Sequence, residues 1–279
     1  MSAGDAVAAL FDQYARRLHA LASRVCGNAA DAEDLVQEVF LQAFRRWDTF
    51  RGDADPGTWL HTIAVRSCRA RRKGGTDRRV PPVSQLLPWD ESQVLRAAAA
   101  PDRATADLLR NEAIATVQRA VTELPEHLRM PLLLKEVLGL SVIDTAEALG
   151  LAENTVKTRI HRARLALRKA MTSGSPGVDA PAPLYDRQVC LDLLKAKLAA
   201  MDRGDQRFAV PAAEVCARCR AVFRELDLVQ DACMQLGQGE IPTGLRQRIL
   251  DAVDQRDQGA ARAGVRRGRK PVRAAPRRR

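Results

Sequence analysis

The sequence predicts an all-α protein, and three observations predict it. Apolar residues recur at spacings of three and four along most of the 279 residues, outside stretches rich in Gly, Pro and Ala. Aromatic residues make up only 4% of the chain, which disfavours β-rich folds and base-stacking sheets. Residues 140–168, LSVIDTAEALGLAENTVKTRIHRARLALR, have the form of a helix-turn-helix. Ser141 opens a first helix with Asp144 as its capping partner, and Gly150 ends the pattern. A second helix from about Glu153 puts Val156, Ile160, Ala163 and Leu167 on one face. Its other faces carry Lys157, Thr158, Arg159, His161, Arg162, Arg164 and Arg168. An apolar stripe for its own domain with donors outside it is what a helix in the DNA major groove requires.

The elements follow in order. Val7, Leu10, Phe11, Tyr14, Leu18, Leu21 and Val25 form the first apolar stripe, ended by Gly27 and Asn28. A second helix starts near Asp31 and carries Leu35, Val36, Val39, Phe40 and Phe44, with Asp31, Glu33, Asp34 and Glu38 making its beginning acidic. Residues 49–57 read as a loop. A third helix from about Thr58 turns Trp59, Leu60, Ile63 and Ala64 inward and ends in the basic run Arg69, Arg71, Arg72 and Lys73. Helices resume near Asp107 and run to Met171, with Pro125 and Pro131 placed near helix starts. A further helical module follows. The resulting organisation is a first domain over 1–75, a linker over 76–106, the helix-turn-helix domain over 107–171, a linker over 172–184, a small helical domain over 185–255, and a disordered basic tail over 256–279.

Composition narrows the function. The net charge is +11, and residues 256–279 hold ten basic residues against Asp257, so nearly all of it lies in that tail. Such a segment is solvated or lies on an anionic surface. No apolar run is long enough to cross a bilayer and no basic-then-apolar leader opens the chain, which predicts a soluble cytoplasmic protein without a membrane partner. Six cysteines in that compartment favour thiols or metal ligation over disulfides. No Ser/His/Asp, P-loop or metal-hydrolase constellation is present, and the four histidines, at 19, 61, 127 and 161, are scattered. The chain is therefore expected not to be an enzyme.

The order of these pieces resembles a bacterial RNA polymerase sigma factor of the extracytoplasmic-function (ECF) group of the sigma-70 family. Two stretches carry the resemblance: residues 31–73, DAEDLVQEVFLQAFRRWDTFRGDADPGTWLHTIAVRSCRARRK, similar to sigma region 2, and residues 124–169, LPEHLRMPLLLKEVLGLSVIDTAEALGLAENTVKTRIHRARLALRK, similar to region 4. The resemblance implies a protein that binds core RNA polymerase and directs recognition of the promoter −10 and −35 elements. It places Asp34, Gln37 and Glu38 against basic clamp helices of the polymerase. It gives the −10 element to Phe50, Arg51, Gly52, Asp53, His61, Arg66 and Arg69, with a flipped base held by the loop at Phe50 to Asp53. Family members often have Asn where this chain has Arg66. The −35 element falls to Lys157, Thr158 and Arg162 for base contacts, with Arg159 and Arg164 on phosphates. A helix-turn-helix regulator that never joins polymerase is the other reading.

Residues 190–233, CLDLLKAKLAAMDRGDQRFAVPAAEVCARCRAVFRELDLVQDAC, resemble the zinc-binding anti-sigma domain. That family shows a Cys, a spacer, then His-x3-Cys-x2-Cys. Cys190, Cys216 and Cys219 occupy the cysteine positions, while the histidine position falls on Ala212. The resemblance implies zinc at these three cysteines as the one cofactor; metal-free packing or a thiol switch are the alternatives. Cys233 reads as a buried core cysteine, sharing a helical face with Val222, Leu226 and Val229. An anti-sigma-like module in the same chain implies intramolecular contact with the sigma modules. It modulates them in cis as an inhibitor, a metal or redox sensor or an activating scaffold, alone or with a separate regulator.

Overall fold

The computed structural model describes residues 3–50, 52, 55–70, 80–95, 103–174, 177–205, 208 and 215–267. The first three helices are α1 (Ala3–Cys26), α2 (Ala29–Arg46) and α3 (Pro56–Ala70). They pack as a bundle around Val7, Leu10, Phe11, Leu18, Leu21, Leu35, Val36, Val39, Phe40, Leu60 and Ile63. The rings of Phe11 and Phe40 lie 5.1 Å apart at its centre. Gly27 takes the left-handed φ of +80° that turns the chain between α1 and α2. Asn28 then caps α2, its Oδ1 accepting the Asp31 N–H at 2.8 Å. Trp59 lies half-buried against this core.

Gly57, in the first turn of α3, has a different reason to be glycine. A Cβ there would sit 2.5 Å from the Tyr14 ring. Gly57→Ala should therefore push Tyr14 out of place and destabilise the fold by about 1–3 kcal/mol. Thermal unfolding checks this, and an unchanged midpoint would show that α1 and α3 do not approach this closely.

After α4 (Val83–Leu86) and the strand β1 (Gln93–Leu95) come α5 (Arg103–Glu123), α6 (Glu126–Glu136), α7 (Val142–Leu149) and α8 (Glu153–Gly174). The helix-turn-helix is α7 and α8, with both halves of the capping box formed: Ser141 Oγ accepts the Asp144 N–H at 3.0 Å and Asp144 accepts from the Ser141 N–H at 3.3 Å. Gly150 closes α7 with a left-handed φ of +63°. Pro125 sits at the N-cap of α6, but Pro131 lies inside that helix rather than at its start.

Next come β2 (Gly177–Asp179), α9 (Arg187–Arg203), α10 (Ala217–Leu236) and α11 (Leu245–Arg267). α10 packs on α5, α6 and α8, whereas α11 packs on α1 and α2, and α3 meets α7. α10 and α11 thus tie the first bundle to the helix-turn-helix bundle. One apolar cluster runs through both bundles and takes in Leu228, Val229, Cys233, Leu245, Ile249 and Val253. A second cluster joins Leu165 of α8 and Leu86 of α4 to α9 and the start of α10.

Two features differ from the sequence reading. The stretches read as linkers meet: β1 and β2 pair antiparallel, with Val94 opposite Val178. Val94 and Leu95 are buried, and the Leu95 N–H donates to Glu225 at 2.6 Å. Three-residue strands carry too little periodicity to be read from sequence. The helix α11 also continues to Arg267, into the segment read as a disordered tail; residues 268–279 lie outside the described residues.

Candidate polymerase and nucleic-acid interface

The polar and basic residues of α8 divide into two groups by helical face. Lys157, Thr158, Arg159 and Arg162 reach solvent. Lys157 pairs with Glu153 at 3.8 Å. Thr158, Arg159 and Arg162 line a concave surface of about 390 Å³ with His127, Asn154 and Thr155. Arg162 is also tied to the first linker, donating to the carbonyls of Val80 and Pro81 at 3.1 and 3.3 Å.

Arg164 behaves otherwise, and its assignment to a phosphate is corrected for this arrangement. It is 0% exposed. Its guanidinium bonds Glu136 at 2.5 and 3.1 Å and Asp202 at 2.6 Å. Arg168, also 0% exposed, bonds Glu225 at 2.7 Å and Glu91 at 2.6 Å. His161 completes the row, its Nε2 lying 2.7 Å from Asp202. The positions 161, 164 and 168 are each one residue beyond the apolar stripe at 160, 163 and 167. They flank that stripe, so whatever covers the apolar face covers them too. The carboxylates that meet them come from the first linker (Glu91), from α9 (Asp202) and from α10 (Glu225). Only Glu136 belongs to the helix-turn-helix bundle.

Electrostatics follow the geometry. Burial raises the pKa of Asp202, yet His161 and Arg164 together hold it below the ordinary carboxylate range. Burial likewise opposes ionisation of Glu91, and Arg168 and Lys169 overcome it. Glu225 is the deepest of the three, and there burial outweighs Arg168 and pushes the pKa up. Buried charges of this kind persist only when each has its partner. Arg218 fastens the same corner, donating to the carbonyls of Pro88, Trp89 and Glu91 at 3.1, 2.7 and 2.6 Å.

In the first bundle Asp34 is exposed, and Gln37 and Glu38 are half-buried. Glu38 accepts from Gln42 at 2.9 Å and lies 3.7 Å from Arg45. α11 approaches alongside: Arg246 bonds Asp12 at 2.8 and 3.0 Å, and Arg248 pairs with Glu33. The helix thus takes Glu33, beside Asp34 on α2.

The loop before α3 is held by aromatic packing, with Phe50 stacked on Trp47 at 5.4 Å and tilted against Trp59 at 5.2 Å. Gly52 has a φ of +79°, a conformation suited to glycine. Arg66 is exposed. Arg51, Asp53 and the side chain of Arg69 lie outside the described residues. His61 is the second correction: it is 2% exposed and cannot touch DNA in this arrangement. It packs edge-on to Tyr14 at 5.4 Å. Neither ring nitrogen has a partner, and burial pulls its pKa down to about 4. On α3 it falls in line with the buried Val65 and Cys68, so this flank is covered as well.

Comparison with known proteins gives these surfaces a class. Residues 10–76 match the family described as Sigma-70 region 2, and residues 114–167 match Sigma-70, region 4. The chain is 36% identical over 164 residues to the RNA polymerase sigma-H factor of Pseudomonas aeruginosa, covering 57% of this chain and 82% of that protein. It is 35% identical over 172 residues to the ECF RNA polymerase sigma factor SigW of Bacillus subtilis, covering 60% and 89%. With the ECF RNA polymerase sigma-E factor of Escherichia coli it shares 34% over 160 residues, covering 56% and 81%. These define a sigma-70-type transcription initiation factor, a non-catalytic class. Within that class the chain belongs to the ECF sigma factors, which bind core RNA polymerase and recognise promoter DNA.

The anti-sigma resemblance implies a metal at three sulfurs. The Sγ atoms of Cys190, Cys216 and Cys219 lie within 4.8 Å of one another. Cys233 is 0% exposed in the other apolar cluster. The position the resemblance gives to histidine is Ala212, which has no donor and lies outside the described residues. A structural zinc takes four ligands, so the described residues do not complete its tetrahedron. Among them no helix is long and apolar enough to cross a membrane.

Proposed function

We propose that this ECF sigma factor is held shut in cis by its C-terminal module, residues 185–255, acting with the first linker. The observation that carries this reading is the set of carboxylates on buried α8 arginines: Asp202 on Arg164, and Glu225 with Glu91 on Arg168. Acidic groups brought by the module stand against basic residues of the helix assigned to DNA. The same module reaches the first bundle through α11, and α3 lies on α7. The −10 and −35 elements are separated along a duplex. Reading both requires the two sigma modules to part, and α10 with α11 opposes this. Tethering makes even a weak interface effective, because it acts at a local concentration on the order of millimolar.

Promoter-specific run-off transcription with core polymerase tests the proposal. A chain ending at Met171 should be more active than the full chain. Equal or lower activity would instead make the C-terminal module a scaffold that the sigma modules need. A second regulator that prises the module away fits the same scheme. The protein works in the cytoplasm, where polymerase is, and supplies recognition rather than catalysis.

Within the opened protein we assign core-polymerase contact to Asp34, Gln37 and Glu38. The −10 element goes to the Phe50–Asp53 loop with Arg66 and Arg69, and the −35 element to Lys157, Thr158, Arg159 and Arg162. Lys157→Ala and Arg162→Ala should each weaken −35 recognition by about 1–3 kcal/mol while leaving core binding intact. Holoenzyme binding to promoter DNA with and without the −35 element reads this out. The assignment fails if both variants bind as the parent does.

A further inference from the structure

Cys190, Cys216 and Cys219 form the one group of three or more potential metal ligands among the described residues, and all three are buried. Cys190 lies in the first turn of α9; Cys216 caps α10 and Cys219 sits in its first turn. The sulfurs of Cys190 and Cys219 are 3.5 Å apart, and Cys216 Sγ accepts the Cys219 N–H at 3.4 Å. Burial works against a Cys216 thiolate, but the N–H groups of Cys219, Leu184 and Arg218 hold its pKa below the ordinary thiol range. Burial keeps Cys190 and Cys219 above that range. Three sulfurs thus converge on a single point.

The surroundings decide what that point can hold. Leu86, Leu165, Leu194, Val215, Val222 and Phe223 share the cluster, an apolar setting in which uncompensated charge is costly. A divalent ion bound by three thiolates has a net charge of −1 and an open fourth position. A monovalent ion would leave −2. A trivalent ion bound by three thiolates is neutral, and in a trigonal pyramid its lone pair occupies the fourth position. Coordination number and charge balance therefore point the same way.

We propose that Cys190, Cys216 and Cys219 form a binding site for a trivalent thiophilic metalloid of the arsenite class, held by three sulfurs. Binding balances without electron transfer. Arsenous acid exchanges its three hydroxyls for three sulfurs, and the three thiol protons leave with them as three waters. The ion would join α9 to the N-terminus of α10, the two helices that carry Asp202 and Glu225. The binding itself does not depend on the cis-inhibition reading.

The test uses the full chain, reduced and metal-free, with sodium arsenite and zinc chloride in separate arms. Native mass spectrometry counts bound ions, and alkylation with peptide mapping shows which of the six cysteines are protected. Arsenite should bind one per chain and protect Cys190, Cys216 and Cys219. Zinc should need at least about tenfold higher concentration for the same protection, lacking a fourth ligand among the described residues. Zinc protecting the three at equal or lower concentration would overturn the proposal in favour of a four-coordinate site. So would arsenite that protects other cysteines, or none. Cys190→Ser, Cys216→Ser and Cys219→Ser should each abolish one-to-one binding; because the unsubstituted chain supplies the protection map, a variant that fails to fold leaves the test intact.

Discussion

Asp202→Asn together with Glu225→Gln should raise promoter-specific transcription by the full-length protein at least about tenfold, toward the level of the chain ending at Met171. Removing the charge from one of an arginine's two buried carboxylate partners costs about 1.5–3 kcal/mol, the worth of a hydrogen bond to a charged group. Here that cost falls on one state only. When the C-terminal module is docked, Arg164 and Arg168 are 0% exposed and need Asp202, Glu225 and Glu91. When it is undocked, water solvates Arg168, and Arg164 keeps Glu136. Arg164 keeps Glu136 and Arg168 keeps Glu91, so each amide replacement should shift the closed-to-open ratio by roughly 10–10². The amides preserve shape, and both residues lie outside the stretches that match sigma regions 2 and 4, so the sigma modules should stay folded. Run-off transcription at limiting core polymerase measures the gain. No gain, with the module still docked by limited proteolysis, would remove these pairs as the device that holds the protein shut.

The sequence made the helices legible but not which of their charges are buried. α1 to α3 and the helix-turn-helix were readable because apolar spacing, the Ser141–Asp144 capping box and the glycines at 27 and 150 all agree locally. The resemblance gives Arg164 and His61 to DNA and the helical pattern puts Arg168 on the basic face, because charged and polar side chains on such helices are normally solvent-facing. What buries them is contributed from far along the chain: Glu225 is 57 residues from Arg168, and Glu91 is 77. No local pattern announces such a pair. One signal was available, namely that 161, 164 and 168 repeat with the period of the apolar stripe and lie immediately beside it. β1 and β2 were missed for a related reason, since each is too short to show alternation and each is stabilised by partners elsewhere.

Asp34→Arg should lower affinity for core polymerase by about 2–5 kcal/mol, about thirtyfold or more, when measured in the opened Asp202→Asn, Glu225→Gln background. The side chain is exposed, so the substitution should change stability little, within about 0.5 kcal/mol. Loss of binding then reports on the partner surface rather than on folding. The opened background matters because α11 runs alongside this face and could hide part of the effect. Its arginines hold Asp12 and Glu33, beside Asp34. Glu33→Lys provides the contrast. It places like charge against Arg248, should loosen α11 from the first bundle, and should leave the Asp34 contact available. If Asp34 meets basic clamp helices, Asp34→Arg weakens core binding and Glu33→Lys does not, in a titration of labelled sigma factor with core enzyme. Core affinity unchanged by Asp34→Arg would take this carboxylate out of the polymerase interface. Equal loss in both variants would extend that interface onto the face α11 occupies, so that docking of α11 and binding of polymerase would exclude one another.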